Sequence, residues 1–135
     1  MHTMASELTA IYIASVLSGE TNELLQILSK DVTALSPTSA DILRDPNMII
    51  IGLSIVSKIV SEFRLVRTYE AGDNWHAAVF DAKIDGEAVQ FSDHLHVDEN
   101  NCIDHIEIFM RPTSVADAFN AKMAAEIRKV MNQNK

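Results

Sequence analysis

The segment "QFSDHLHVDEN", residues 90 to 100, contains an acid that could do chemistry. If the segment is a strand, Phe91, Asp93 and Leu95 share one face, and the polar residues between them share the other. Asp93 is then a carboxyl group on an apolar wall. Because burial disfavours the charged form, such a carboxyl has a raised pKa and can donate a hydrogen bond to a ligand oxygen. Alternatively, Asp93 meets a backbone amide or a neighbouring side chain, or the strand is flipped.

The composition is that of a globular protein. The chain has 135 residues, of which 47% are hydrophobic and 22% charged, and we expect a single domain over residues 1–135. A formal net charge of −8 without a basic cluster disfavours nucleic acid as a partner. Cys102 is the only cysteine, so nothing points to an oxidising compartment. No apolar run reaches the roughly 20 residues of a membrane span, and we expect a cytoplasmic protein that binds no membrane.

Two helices and a loop are predicted for the first third of the chain. Gly19 ends the first helix, and Thr21 or Asn22 caps the second. Residues 31–37 then read as a short extended segment that stops at a proline. Residues 38–48 read as a loop that is long enough to act as a flap.

The rest of the chain is predicted to contain one helix, a run of strands and a last helix. The third helix should begin near Ser54, and the fourth should begin at Ser114 after a proline. Between them the hydrophobic period changes to two, with turn residues separating the segments. Helices followed by an antiparallel meander indicate an α+β fold. The predicted strands are 65–71, 75–84, 87–98 and 102–111.

This order of elements, together with several motifs, resembles the nuclear transport factor 2-like (NTF2-like) superfamily. The motifs are "YIASVLSG" in the first helix, "LLQILSKDVTALSP", and "DHLHVDENNCIDHIEIFMRP" in the meander. The superfamily includes ketosteroid isomerase, SnoaL-like polyketide cyclases, limonene epoxide hydrolase and scytalone dehydratase. The resemblance implies a cone-shaped, cystatin-like α+β fold. N-terminal helices and a C-terminal helix pack on a strongly bent antiparallel sheet, which surrounds a deep apolar pocket.

The resemblance also implies roles for several residues. Tyr12 and Asp93 match the positions of two groups that donate hydrogen bonds to a developing enolate in ketosteroid isomerases. The carboxylate base of those enzymes stands before a proline at the end of the first short strand, where this chain has Ser36. A serine hydroxyl cannot take a proton from carbon near neutral pH without a base of its own. His76 is the best substitute base by residue type. We therefore predict Asp93, Tyr12 and His76 as catalytic residues.

The inward faces of the strands should line the pocket. Ala78 and Ala82 would leave volume beside larger neighbours, which suits a cavity. The predicted lining residues are Ser36, Ala78, Phe80, Ala82, Phe91, Leu95, Ile106, Ile108 and Met110. Asp104 shares the inward parity of Ile106, and SnoaL-like cyclases use acids on late strands. Limonene epoxide hydrolases need an arginine between two aspartates, for which Arg67 and Arg111 are the candidates.

The outward face of the strands combines histidines with apolar residues. His94, His96 and His105 could in principle gather around zinc, but no tight ligand spacing supports a metal site, and a polar sheet exterior is the competing interpretation. The apolar residues are too many for a solvated surface, and the resemblance implies a homodimer through this face. They are Trp75, Val79, Ile103 and Phe109.

Three functions follow from these residues. The first is an enzyme without a cofactor that isomerises, cyclises, dehydrates or hydrolyses a small apolar or aromatic molecule carrying oxygen. The second is a binding module that keeps the pocket but has lost the base, and Ser36 favours it over the first. The third is a domain for dimerisation or assembly, against which Asp93 in a pocket argues.

Overall fold

The computed structural model describes residues 2–133, with side chains from Ser6 onward, and confirms the α+β fold class. The helices are α1 (His2–Ser18), α2 (Asn22–Ile27), α3 (Pro46–Ile59) and α4 (Ala116–Gln133). The strands are β1 (Leu28–Leu35), β2 (Ile42–Leu43), β3 (Ser61–Ala71), β4 (Trp75–Ile84), β5 (Glu87–Val97) and β6 (Ile103–Arg111). None of the helices within residues 2–133 is long and apolar enough to cross a membrane.

The strands form one curved sheet in the order β2-β1-β6-β5-β4-β3. The neighbours pair antiparallel except β1 and β6, which run parallel. Alternation along β4 and β5 buries one side chain in two against the helices. The buried side chains form two hydrophobic clusters on the inner face of the sheet. One gathers around α1, β1 and β6, and the other lies between α4 and strands β4 and β5.

The end of α1 is fixed by a glycine that packs against α3. Gly19 has a φ of +80°, which favours glycine. A Cβ atom at this position would lie 2.6 Å from the Ser57 Oγ atom and 3.1 Å from the Ser54 carbonyl oxygen. The prediction that Gly19 ends the first helix is therefore correct, and the residue also allows α1 and α3 to approach closely.

Helix α3 begins eight residues earlier than predicted, at Pro46 rather than Ser54. Asp45 caps the helix, since its side chain accepts a hydrogen bond from the Asn47 backbone amide at 2.9 Å. Proline is favoured in the first turn of a helix, where its missing amide hydrogen costs nothing. The pair Asp45-Pro46 thus starts a helix inside the segment that was predicted as a loop. The predicted loop 38–48 is correspondingly shorter and contains the short strand β2.

Other boundaries differ by a few residues. β1 begins at Leu28, three residues before the predicted extended segment, and β3 begins at Ser61 rather than at residue 65. The last helix is preceded by a 3₁₀ turn at Thr113–Val115, so α4 begins at Ala116 instead of Ser114. These shifts leave the order of the predicted elements intact.

A β-bulge in β6 reverses the predicted direction of two side chains. His105 pairs with His96, but Ile103 pairs with Val97, so Asp104 is an extra residue on β6. Ile103 is therefore buried in the core, not on the outer face. Asp104 points the other way and lies 2.6 Å from His96 Nδ1. The prediction of inward parity for Asp104 is wrong because strict alternation does not continue through a bulge.

Candidate functional site

A mostly apolar cavity of about 360 Å³ lies between the sheet and helices α3 and α4. Its volume falls within the range of roughly 300–1,000 Å³ that is usual for small-molecule sites. Strands β5 and β6 provide its floor, and the segment 36–39 and α4 border it on the outside. The polar side chains in the lining are Ser36, Thr38, Ser39, Asp93 and Asn120. The other lining residues are Val16, Ala34, Leu35, Pro37, Leu43, Met48, Ile49, Gly52, Leu53, Val56, Phe63, Phe91, Ile106, Ile108, Phe119, Met123, Ala124 and Ile127.

Asp93 lies in the cavity wall and is held by Tyr12. The Tyr12 hydroxyl donates a hydrogen bond of 2.6 Å to Asp93 Oδ2. Asp93 is only 3% exposed, and Tyr12 is fully buried. Burial raises the pKa of Asp93 to about 7, although the hydrogen bond from Tyr12 opposes this rise. Burial raises the pKa of Tyr12 well above its ordinary value, and the neighbouring carboxylate adds to the effect.

The backbone explains why these two side chains meet. On α1, Tyr12 lies one turn from Leu8 and one turn from Val16, and all three are buried in the same cluster. On β5, Asp93 alternates inward, and its neighbours across the sheet are Ala78 on β4 and Ile108 on β6. Helical and strand periods thus bring together two residues that are 81 positions apart in the sequence.

Tyr12 and Asp93 are adjacent, but they do not face the cavity in the same way. Asp93 lines the cavity. Tyr12 is not among the described lining residues and lies in the hydrophobic cluster behind Asp93. The single hydroxyl hydrogen of Tyr12 is used by Asp93. In this arrangement Tyr12 positions Asp93. The hydrogen bonds from both groups to a ligand oxygen stay a prediction.

His76 lies at a different hollow. Its side chain is buried next to a space of about 210 Å³ between α1 and β3, which Thr9, Thr68 and Glu70 also line. His76 Nδ1 is 3.8 Å from Glu70 Oε1. His76 is buried on the inner face of β4, and residues of α1 lie beside it. His76 is therefore separated from the cavity that Asp93 lines.

Five residues predicted to line the pocket belong to the filled core instead. Ala78, Phe80 and Ala82 are buried in the cluster that includes Phe63 and the α1 residues Ile13 and Leu17. Phe63 packs against this cluster, and its ring centroid lies 5.3 Å from that of Phe80. Leu95 packs with the α1 cluster and Met110 against the α4 cluster. Ser36, Phe91, Ile106 and Ile108 do lie in the cavity wall, together with Asp93.

Helix α4 supplies lining residues that the sequence did not identify. Phe119, Met123 and Ile127 follow a helical period and form an apolar stripe along α4. Asn120 stands next to this stripe at the cavity edge, and its Oδ1 accepts a hydrogen bond from the Thr38 hydroxyl. A polar residue beside an apolar stripe is the signal that would have indicated Asn120.

The outer face of the sheet is polar with aromatic rings. The Thr33 Oγ1 atom is 2.6 Å from His105 Nδ1, and His105 Nε2 is 2.9 Å from Glu107 Oε1. His94 approaches Ser92 at 3.0 Å and the ring of Phe109 at 4.8 Å. Four apolar residues were predicted for this face. Ile103 is in the core and Val79 is buried. Trp75 stacks on His96, and only Phe109 of the four is largely exposed. The homodimer through this face remains a proposal.

Comparison with known proteins identifies the fold. No family model matches the chain, and no curated protein matches it. A steroid delta-isomerase from Pseudomonas aeruginosa is 18% identical with a TM-score of 0.87, covering 96% of this chain and 95% of that one. A bacterial protein with a cystatin-like fold from Silicibacter pomeroyi DSS-3 is 24% identical with a TM-score of 0.83, covering 90% and 85%. An epoxide hydrolase/cyclase-like enzyme in salinomycin pyran ring formation is 14% identical with a TM-score of 0.65, covering 83% and 94%. The chain thus has the NTF2-like, cystatin-like fold.

Proposed function

We propose that this chain, with its NTF2-like fold, binds a small and mostly apolar molecule through an oxygen atom. The protonated carboxyl group of Asp93 donates the hydrogen bond, and Tyr12 holds that carboxyl in place. The proposal rests on the buried Tyr12–Asp93 contact at the wall of an apolar cavity. Among the lining residues that the structure describes, Asp93 is the one with an ionisable side chain.

The surroundings of Asp93 support a neutral donor near and below neutral pH. Its pKa of about 7 means that the protonated form dominates in slightly acidic solution. One carboxyl oxygen accepts from Tyr12, so the other is left for a ligand. A hydrogen bond made inside an apolar cavity is stronger than the same bond in water. A ketone or another acceptor oxygen on an apolar body is the chemistry that this donor recognises.

The pH dependence of ketone binding tests the proposal. An aromatic ketone such as tetralone accepts hydrogen bonds but cannot donate them, so it should bind the protonated form of Asp93. Its affinity in the wild-type protein should fall by roughly tenfold between pH 6 and pH 8, as expected for a group that ionises near pH 7. Asp93→Asn places a neutral amide donor at the same position, and its affinity should be independent of pH.

Two further ligands and variants separate the hydrogen bond from simple burial. Asp93→Leu should weaken ketone binding by up to about tenfold at pH 6, because it removes the donor. Naphthol can both donate and accept, so its affinity for the wild-type protein should change less with pH. Equal ketone affinity in the wild-type protein and in Asp93→Leu would exclude Asp93 as the donor.

A second candidate function is proton transfer by Asp93 itself. A group with a pKa of about 7 is suited to take a proton and give it back near neutral pH. With a β,γ-unsaturated ketone, the Asp93 carboxylate would remove the α-proton, and the C–H electron pair would move into an enolate. The protonated Asp93 would then return the same proton to the γ-carbon, which gives the conjugated ketone. The position of Ser36 in the cavity wall supports binding alone, since no second carboxylate faces Asp93 among the described lining residues.

The second candidate is tested by following the absorbance of the conjugated ketone. If Asp93 acts as the base, the wild-type rate should rise through pH 7 as the carboxylate forms, and Asp93→Asn should be inactive. Ser36→Asp adds a second carboxylate at the cavity wall and should increase the rate. If neither the wild-type protein nor Ser36→Asp converts the ketone, isomerisation by Asp93 is excluded.

A further inference from the structure

The polar residues that line the cavity differ in their exposure to solvent. Asp93 is buried, whereas Thr38, Ser39 and Asn120 are exposed at the outer edge, and Ser36 is half-buried between these extremes. The wall between the two levels consists of apolar side chains from α3, α4 and the sheet. A molecule that fills the cavity therefore meets one polar group at its inner end and a second polar region at its outer end.

The outer region is organised by a contact between two distant segments. Thr38 follows β1, and Asn120 lies in the second turn of α4, 82 positions further along the chain. The Thr38 hydroxyl donates to Asn120 Oδ1, so the side-chain nitrogen of Asn120 keeps its two hydrogens for another acceptor. Ala124, one turn after Asn120, also lines the cavity and leaves room beside the amide.

We propose that Asn120 is a specificity-determining residue that binds a second oxygen of the ligand at the cavity mouth. This inference rests on the proposed function, because it assumes that Asp93 binds the first oxygen. The ligand class is then an elongated, mostly apolar molecule with an oxygen function at each end. The inner oxygen meets Asp93, and the outer oxygen, a hydroxyl or carbonyl group, accepts from the Asn120 amide. Thr38 is a positioning residue that fixes the orientation of this amide.

A purely structural contact between Thr38 and Asn120 would behave differently. An exposed hydrogen bond contributes little to stability, and its loss would loosen the cavity mouth for every ligand alike. A ligand contact instead discriminates between molecules that have the second oxygen and molecules that lack it. The decisive quantity is therefore the gain in affinity from one added hydroxyl group, compared between variants.

The experiment uses linear diols of increasing length and their mono-hydroxy analogues. The pairs are hydroquinone and phenol, a naphthalenediol and naphthol, and a biphenyldiol and phenylphenol, each titrated into the wild-type protein at pH 6. For the pair whose length matches the cavity, the second hydroxyl should strengthen binding by about three- to tenfold, the value of one hydrogen bond. Asn120→Leu should abolish this gain, which is measured in each variant as the ratio of the affinity of the diol to that of its mono-hydroxy analogue. Thr38→Val should reduce the gain.

Asn132→Leu is the matched control, because Asn132 is exposed on the same helix and lies outside the cavity lining. It should keep the full gain. If no diol binds better than its analogue, or if the gain persists in Asn120→Leu, the second contact is excluded while the Asp93 proposal stands. If the mono-hydroxy compounds do not bind at all, or bind Asp93→Leu as well as the wild-type protein, the proposed function itself fails.

Discussion

Two aspartates on neighbouring strands have opposite surroundings. Asp81 is on the outer face of β4, where it accepts hydrogen bonds from Arg64 at 2.9 Å and from Gln90 at 3.0 Å. Asp93 is on the inner face of β5, where it accepts one hydrogen bond from the neutral Tyr12 hydroxyl. Asp81 is partly exposed to water, whereas Asp93 is buried. The outer carboxyl thus has a cationic partner and solvent, and the inner carboxyl has neither.

The difference shows how a fold can keep a buried acid neutral. A carboxylate with a cation nearby is stabilised in its charged form, but burial without a cation favours the protonated form. On the outer face, His96 and His105 each lie within 2.9 Å of a carboxylate oxygen. A buried acid without such a partner costs stability when it ionises. Under the proposed function, this cost accompanies a neutral hydrogen-bond donor at Asp93.

The largest expected effect is on the pH dependence of stability. In the folded protein the pKa of Asp93 is raised from 3.8 to about 7. As pH rises through this interval the unfolded chain loses the proton first, so the folded state becomes less stable, and the loss is complete above pH 7. At about 1.36 kcal/mol per pH unit, the interval corresponds to about 4 kcal/mol. Asp93→Asn should therefore gain about this much over the wild-type protein between pH 4 and pH 8, measured by urea unfolding.

Asp81→Asn is the control for this comparison. It removes an exposed ion pair, which contributes less than about 1 kcal/mol, and its stability should follow the wild-type protein in parallel across the same pH range. A difference between Asp93→Asn and the wild-type protein that stays constant with pH would mean that Asp93 is ionised in the folded state. The proposed difference between a charged Asp81 on the outer face and a neutral Asp93 on the inner face would then be wrong.

The second effect concerns the hydrogen bond from Tyr12. Tyr12→Phe removes the interaction that lowers the pKa of Asp93, so this pKa should rise above about 7. The midpoint of the ketone-binding profile should move to higher pH by the same amount. The variant should lose about 1–3 kcal/mol of stability, since a buried acceptor is left without its donor. The loss should be larger at pH 8 than at pH 6.

Tyr69→Phe provides the matching change at a second tyrosine. Tyr69 is exposed on β3, and its hydroxyl accepts from Arg67 at 2.6 Å. Loss of the Tyr69 hydroxyl should change the stability of the fold by less than about 0.5 kcal/mol and should not shift the pH profile of ketone binding. If both variants shift the profile equally, or if neither does, Tyr12 is not the residue that tunes Asp93.

The sequence was sufficient to place Asp93 but not to complete the site around it. The inward direction of Asp93 follows from an uninterrupted alternation along β5, which is a local property. The same rule gave wrong directions for Ile103 and Asp104, because the bulge in β6 is set by pairing with β5 and leaves no local pattern. The start of α3 was missed although it was encoded locally, since Asp45-Pro46 is both a turn signal and a helix cap.

The division between cavity and core could not be predicted, because it depends on long-range packing. Ala78 and Ala82 suggested an open volume, but Phe63 and α1 side chains fill it. Asn120 lies at the cavity edge and contacts Thr38, which is 82 positions away in the sequence. Strand parity indicates which side chains point inward, whereas the packing of helices decides where space remains.

The smallest expected effect on stability, and the last test of the two faces, is at Phe109. This side chain is 53% exposed on the outer face, where the proposed homodimer would bury it. Phe109→Glu should change the stability of the fold by less than about 0.5 kcal/mol, since the ring is not in the core. It should nevertheless convert a dimer to a monomer in sedimentation experiments, because a buried interface does not tolerate unpaired charge. Met131→Glu, an equal change at an exposed residue of α4, should remain dimeric. A wild-type protein that is monomeric, or a Phe109→Glu variant that stays dimeric, would exclude a homodimer through Phe109 on the outer face.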